Sequence, residues 1–183
     1  MKRQLLTASL CAAALYAGAA VADHGPTTVG GASMLPERNI IENAVNSGDH
    51  KTLVAAVQAA ELVDVLQGEG PFTVFAPTDD AFAALPAGTV DTLLMPENKA
   101  QLQTVLTYHV VPGNMNRDAL WEETMENDGT VAFKTVQGEY LTVSRNGNNL
   151  MVMDAQGNGA NITVVDVAQA NGVIHVIDSV LMP

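Results

Sequence analysis

The apolar residues of this chain change their spacing midway along the sequence, and that change constrains the fold more than any other feature. Up to about residue 107 they recur with a helical period, as in the stripe Ile40, Ile41, Ala44 and Val45. Turns rich in Asn and Gly then separate five β-branched or aromatic runs, at 131–135, 140–145, 150–153, 162–168 and 173–177. Helices followed by strands favour an α+β fold over an alternating α/β sheet.

Local signals divide the first half into short elements. The segment 46–48 ends the first helix, and Asp49 is a candidate N-cap for a second helix that breaks near Ala60. Residues 72–76 read as a short buried strand. Thr78 is placed to cap a following helix, and Asp79 in its first turn complements the helix dipole. Two more helices are predicted near 89–94 and 98–107.

Residues 1–22 have the pattern of a secretory signal peptide. Lys2 and Arg3 precede an Ala-rich apolar stretch, and 20–22 form a small-x-small cleavage site. The apolar stretch is short for a bilayer span and rich in small residues, so we expect cleavage rather than a membrane anchor. The single cysteine, Cys11, lies within it, so the mature chain would have neither a disulfide nor a thiolate ligand or nucleophile. We expect a secreted protein, periplasmic or extracellular, that does not span the membrane.

The remaining chain is strongly acidic and fits one domain. We expect a flexible leader at 23–36, where Gly, Thr and Pro occur without periodicity, and a folded domain at 37–183. Without Lys2 and Arg3, 20 acidic residues face six basic ones, a net charge of −14. Because nucleic-acid binding needs a basic surface, this balance disfavours it.

Three segments resemble the fasciclin (FAS1) domain family in order and spacing. Residues 70–82 (GPFTVFAPTDDAF) resemble its first box, 106–113 (LTYHVVPG) its central Tyr-His motif, and 171–183 (NGVIHVIDSVLMP) its second box. The resemblance covers about 37–183. It implies a β-wedge or sandwich packed with several α-helices, and an exported protein of cell adhesion and matrix contacts. Some relatives elsewhere bind apolar pigments of the carotenoid type.

The resemblance also nominates site residues. His50 stands where relatives often carry an aromatic residue, which predicts an altered surface patch on the helical face. The residues that match the family motifs, and that are therefore candidates for binding or for a structural role, are Tyr108, His109, Phe75, Thr78, Asp79, His175 and Asp178.

The two motif histidines admit two interpretations each. His109 continues the helical stripe that includes Val105, and it can be a metal ligand, a general base or part of an interaction surface. The favoured alternative is a buried imidazole that bonds the backbone and holds the helix-to-strand junction. His175 lies on the apolar face of a strand, where a satisfied core histidine is again favoured over a ligand.

No catalytic constellation stands out. His175, Asp178 and Ser179 have the residue types of a hydrolase triad but lie too close along one strand to converge, and a Gly-x-Ser-x-Gly elbow is missing. The four histidines are dispersed, and Asp154 with Asn158 only weakly resembles a calcium loop. We therefore predict no enzyme, no metal and no cofactor.

Two functional hypotheses remain. The first is an interaction module that binds a protein or glycan partner at a cell surface, matrix or biofilm. The second is a carrier for a small apolar ligand, a carotenoid or lipid, held by the apolar helical face around Leu53, Val57 and Leu62. The sequence identifies no particular partner for either.

Overall fold

The computed structural model describes residues 27–183, and the predicted signal peptide lies outside the described residues. Its helices are α1 (Ile40–Asn46), α2 (Lys51–Ala59), α3 (Val63–Leu66), α4 (Asp79–Ala83), α5 (Thr89–Leu93), α6 (Lys99–Tyr108) and α7 (Arg117–Glu126), with a 3-10 turn at Pro96–Asn98. Its strands are β1 (Thr27–Val29), β2 (Ala32–Met34), β3 (Phe72–Pro77), β4 (Val110–Pro112), β5 (Thr130–Lys134), β6 (Tyr140–Asn146), β7 (Asn149–Met153), β8 (Gly159–Gln169) and β9 (Gly172–Ile177).

Seven strands form one mixed sheet in the order β4-β3-β9-β8-β7-β6-β5. Only the β3–β9 pair is parallel, with Phe72 opposite Gly172, and the other pairs are antiparallel. The sheet curls until its edges nearly meet, since the Val136 N–H just beyond β5 donates to the Val110 carbonyl of β4 at 2.8 Å. The α+β class is confirmed, and β3 lies between β4 and β9, so the three motif segments are neighbours.

The curled sheet separates two apolar cores. On β3, Val74 and Ala76 belong to a core under the helices, and Phe75 points to a core enclosed by the sheet. This follows from the alternation of side chains across a strand. Both β3 and β9 are buried along almost their whole length, which explains why their sequences are continuous apolar runs rather than alternating ones.

The segment before α1 corrects one expectation. Within the predicted leader at 23–36, strands β1 and β2 form a hairpin, and Val29 and Met34 are buried against the helical core. The Gly48 N–H donates to the Gly30 carbonyl at 3.0 Å, which holds the hairpin turn against the α1–α2 connection. The leader prediction is therefore wrong for residues 27–36. Three-residue strands are too short to show a hydrophobic period. Their apolar residues pack against distant parts of the domain, which local sequence does not reveal.

Two further elements had no sequence signal. Strand β4 has only three residues, and α7 buries just Leu120 and Thr124 while the rest of its surface is largely charged. A helix with so narrow an apolar stripe shows almost no amphipathic period. Among the described residues, none of the helices has the length and apolar character needed to cross a membrane.

Candidate functional site

Tyr108 and His109 end α6 and make contacts only inside the domain. The His109 ring is 3% exposed, and its Nδ1 lies 2.8 Å from the Val105 carbonyl, while Nε2 accepts from the Leu181 N–H at 3.0 Å. These partners require a neutral imidazole with the proton on Nδ1. Burial lowers the pKa of His109 from 6.5 to about 4, against the opposing effects of the Val105 carbonyl and Asp154.

The Tyr108 hydroxyl is held just as firmly. It donates to the Tyr140 carbonyl at 2.9 Å and accepts from the Ala155 N–H at 3.0 Å, and burial raises its pKa. The two motif side chains therefore join the end of α6 to β6, to the turn after β7 and to the C-terminal segment. This arrangement agrees with the structural interpretation of His109 that the sequence favoured.

His175 and Phe75 form a second buried pair, on β9 and β3. Their ring centroids are 5.7 Å apart with an interplanar angle of 28°. The Asp166 N–H donates to His175 Nδ1 at 3.4 Å, and Nε2 lies 2.8 Å from the Met115 carbonyl, so the proton is on Nε2. Burial lowers the pKa of His175. Both ring nitrogens are occupied, which leaves no free lone pair for a substrate or metal.

Thr78 and Asp79 cap two different helices. The Thr78 hydroxyl accepts from the Ala81 N–H at 3.3 Å and caps α4 as predicted. The Asp79 carboxylate reaches across to α2, where it accepts from the N–H groups of Thr52 at 2.8 Å and Lys51 at 3.3 Å. Burial alone would raise the pKa of Asp79, but these hydrogen bonds outweigh it and lower the pKa.

The predicted N-cap of α2 was therefore wrong. His50, not Asp49, occupies the cap position, and its side chain makes no capping bond. The Asp79 carboxylate caps the helix instead, although it lies 28 residues after Lys51 in the chain. Sequence reasoning missed it because a cap is sought within the same segment.

His50 is also not on the surface, which corrects the expected altered surface patch. It is 4% exposed, its Nδ1 lies 2.8 Å from the Ser47 hydroxyl, and its Nε2 has no hydrogen-bond partner among the described residues. Burial lowers its pKa, and Asp49, Asp79 and the Ala76 backbone oppose that effect. His50 thus takes the inward position under the hairpin rather than an outward one.

Asp178 has a local role and does not join His175. Its two carboxylate oxygens accept from the backbone N–H and the side-chain amide of Asn161, both at 2.8 Å, and this pins β8 to the end of β9. Asp178 is exposed, whereas His175 is fully buried. A triad of His175, Asp178 and Ser179 is therefore not assembled.

Two polar residues, Asn171 and Asp154, have structural roles that the sequence did not predict. Asn171 accepts from the Ile40 N–H at 3.1 Å and donates to the carbonyls of Leu66 and Gly68 at 2.8 and 2.9 Å, so it ties α1, α3 and β9 together. Asp154 accepts from three backbone N–H groups, of Gln156, Asn158 and Met182. Asp154, which the sequence compared with a calcium ligand, therefore holds a turn and the C-terminal segment by hydrogen bonds. Within residues 27–183, no three His, Cys, Asp or Glu side chains are grouped for a metal.

The helical core contains small apolar cavities. One, of about 30 Å³, is lined by residues of the hairpin, α1, α2 and the sheet, including Val29, Ile40, Leu53 and His50. A second, also about 30 Å³, lies between α1, α2, α6 and the sheet, beside His109. Each has room for one or two water-sized groups, since a single water needs at least about 10–15 Å³ by this measure.

Comparisons with known proteins agree with this architecture. The fasciclin domain profile matches residues 48–183. The chain is 50% identical over 144 residues to protein sll1483 of Synechocystis, covering 79% of this chain and 73% of that protein. It is 35% identical over 167 residues to the cell surface glycolipoprotein MPB83 of Mycobacterium bovis, covering 88% and 68%.

A solved structure shares the fold. It is the FAS1 domain pair of the insect cell adhesion molecule Fasciclin I, with a TM-score of 0.70 and 19% sequence identity over 80% of this chain. The chain spans 51% of that domain pair. The profile match, the relatives and the shared architecture lead to one conclusion: this chain belongs to the fasciclin (FAS1) family.

Proposed function

We propose that the protein is an exported FAS1 interaction module, periplasmic or extracellular, that binds a protein or glycan partner at a cell surface or matrix and performs no catalysis. The observation that carries this proposal is that the polar groups of the motif residues bond to the domain's own backbone or to neighbouring side chains. Such residues build a rigid scaffold. A rigid, acidic scaffold whose motif is turned inward is suited to presenting its outer surface to a partner.

The state of the histidines argues against catalysis. A general base needs a lone pair within reach of a substrate proton, and both ring nitrogens of His109 and of His175 are engaged with buried backbone groups. Burial keeps both rings neutral near neutral pH. Phe75 and Asp178 likewise serve ring packing and strand pairing rather than a cleft.

The relatives support the cellular setting of the proposal. One is named a cell surface glycolipoprotein, and the solved domain pair comes from a cell adhesion molecule. The sequence adds the signal-peptide pattern at 1–22. The names of the relatives and the signal-peptide pattern together favour a function outside the cytoplasm. An acidic surface also helps to keep a protein soluble there.

The carrier hypothesis has weaker support. Pockets that hold drug-sized ligands measure about 300–1,000 Å³, and the apolar cavities near Leu53 and Val57 are each about 30 Å³. A carotenoid or lipid would therefore need the hairpin and helices to separate from the sheet. Expression beside a carotenoid pathway tests this alternative: a coloured protein, or lipid recovered by mass spectrometry, would favour it over the interaction module.

The proposed function is tested with the purified domain immobilised and exposed to the envelope fraction of the producing organism. We expect one or more partners to be retained, and deletion of the gene to reduce surface attachment or cell aggregation. His109→Asn, used at a temperature where it is fully folded, serves as a matched variant and should retain the same partners. No retained partner, together with unchanged attachment and aggregation in the deletion strain, would refute the proposal.

A further inference from the structure

Trp121, the single tryptophan of the chain, has two arginines within cation–π distance of its ring. The guanidinium carbon of Arg117 lies 5.1 Å from the indole centroid, and that of Arg145 lies 5.4 Å from it. Arg117 precedes Trp121 by one helical turn on α7, and Arg145 reaches the ring from β6, against which α7 packs. Cation–π attraction to the indole favours both positive charges at this ring.

Neither guanidinium is satisfied within the domain. Arg145 Nε is buried and has no hydrogen-bond partner among residues 27–183. The Asp118 carboxylate lies 3.7 Å from the Arg117 guanidinium, which is beyond hydrogen-bonding distance, and its side chain is 88% exposed. The Asp166 carboxylate accepts from the Arg117 backbone N–H at 2.6 Å. The Arg117 side chain is itself 39% exposed. The exposed guanidinium of Arg117 is a ready partner for a carboxylate, and the unpaired Arg145 adds positive charge at the same ring.

The surrounding charges restrict what can approach. The described part of the chain has six basic residues, and two of them meet at this ring. Around them on α7 stand four exposed carboxylates, those of Asp118, Glu122, Glu123 and Glu126. The pattern is a positive centre with a negative rim. It repels a densely charged polyanion and complements a single carboxylate that is flanked by positive charges.

The apolar component of the same face fits a protein partner. Met125, 60% exposed, lies one turn beyond Trp121, so Arg117, Trp121 and Met125 form one stripe along α7. Tryptophan, arginine and methionine are enriched at protein interfaces, and tryptophan and arginine at their energetic centres. Leu120 and Thr124, on the neighbouring face of α7, are buried and anchor the helix to the sheet.

We propose that Arg117, Trp121 and Arg145, here named the tryptophan clamp, form the centre of a protein-docking surface that takes an acidic side chain flanked by basic residues. The carboxylate accepts from the exposed Arg117 guanidinium, Arg145 adds a second positive charge at the same ring, and the flanking basic residues meet the carboxylates of α7. This proposal rests on the proposed function, since it names the chemical class of the partner. It gives the module a binding centre outside all three family motifs.

Binding at the clamp can be followed by tryptophan fluorescence, because the single tryptophan of the chain lies in the proposed site. The probe is the capped peptide Lys-Lys-Glu-Lys-Lys, titrated to about 10 mM while Trp121 emission is recorded. Its control replaces the central Glu by Gln. The Gln peptide is more positive and is drawn more strongly to the acidic surface in general, so a preference for the Glu peptide reports the clamp and not bulk attraction.

We expect a saturable change with the Glu peptide and at least about tenfold weaker binding of the Gln peptide. Arg145→Gln and Arg117→Gln should each weaken binding of the Glu peptide by about tenfold. Lys51→Gln on α2, which removes the same charge elsewhere, should leave it unchanged. Thermal melts by circular dichroism confirm that each variant is folded.

The inference would be overturned by no saturable response, by equal responses to the two peptides, or by equal loss of binding in Lys51→Gln and Arg145→Gln. Tighter binding of polygalacturonate than of the peptide would also overturn it, since the partner would then be an anionic glycan. The proposed function fails separately. If the wild-type domain and Arg145→Gln retain an envelope partner equally well, the proposed function is supported and the tryptophan clamp is refuted as its binding centre.

Discussion

His109→Asn gives a pH-dependent test of the interior. In the wild type, the ring donates to the Val105 carbonyl and accepts from the Leu181 N–H. An asparagine amide can replace the donor toward Val105 but leaves the buried Leu181 N–H without an acceptor and leaves space where the ring was. Together these losses should cost about 3 kcal/mol in the free energy of unfolding near neutral pH.

The wild type should lose this advantage in acid. Because burial lowers the pKa of His109 from 6.5 to about 4, the unfolded chain binds more protons than the folded one once the pH falls below about 6.5. At 1.36 kcal/mol per pKa unit, about 3 kcal/mol of stability disappears as the pH falls from 6.5 to about 4, and about two thirds of it is gone by about pH 5. The asparagine does not titrate.

The assay is urea unfolding followed by Trp121 emission, at a series of pH values from about 7.5 to about 4.5. Titrations of carboxylates and of the other histidines occur in both proteins and cancel in the difference. We expect the stability gap between wild type and His109→Asn to narrow from about 3 kcal/mol to less than about 1 kcal/mol. A gap that stays constant across this range would refute the assignment of a buried, neutral His109.

Three other substitutions test separate parts of the fold. Asp79→Ala should cost about 1 kcal/mol near pH 7, because α2 loses its cap. Since the pKa of Asp79 is lowered in the fold, this cost should shrink as the pH falls below the ordinary aspartate pKa of 3.8, and urea unfolding at about pH 7 and about pH 3 measures the decrease. Met34→Ala should cost about 2–4 kcal/mol in urea unfolding, whereas a flexible leader would give no change. Gly172→Ala should cost more than about 3 kcal/mol, because a Cβ there overlaps the Phe72 carbonyl across the parallel β3–β9 pair. Its control, Gly147→Ala in an open turn, should cost only about 1 kcal/mol, and equal melting-temperature losses for the two would contradict the register.

The sequence predicted those parts of the fold that depend on periodicity over many residues. The helical stripe of α1 and the runs that became β6, β7 and β9 were recognisable because each buries one face or both faces over several residues. The hairpin β1–β2 and strand β4 were not, because three residues carry no measurable period. Helix α7 was missed because its core contact consists of Leu120 and Thr124 alone.

The candidate site shows the same division. The sequence already favoured buried, hydrogen-bonded roles for His109 and His175, because each stands on an apolar stripe and a buried imidazole needs partners. The partners themselves, Leu181 and Met115, lie 72 and 60 residues away, and the spacing of neighbours cannot reveal them. The tryptophan clamp depends on the same kind of contact, since Arg145 meets Trp121 only after α7 packs on β6.

The central claim is that His109 and His175 are buried, neutral and hydrogen-bonded within the domain. Long-range ¹H–¹⁵N NMR tests it most directly, because it observes the ring nitrogens themselves. We expect two neutral rings of opposite tautomer at about pH 7, with the proton on Nδ1 in His109 and on Nε2 in His175, and we expect His109 to stay neutral at about pH 5.5. Rings that titrate near pH 6.5, or that exchange between tautomers as exposed imidazoles do, would contradict it.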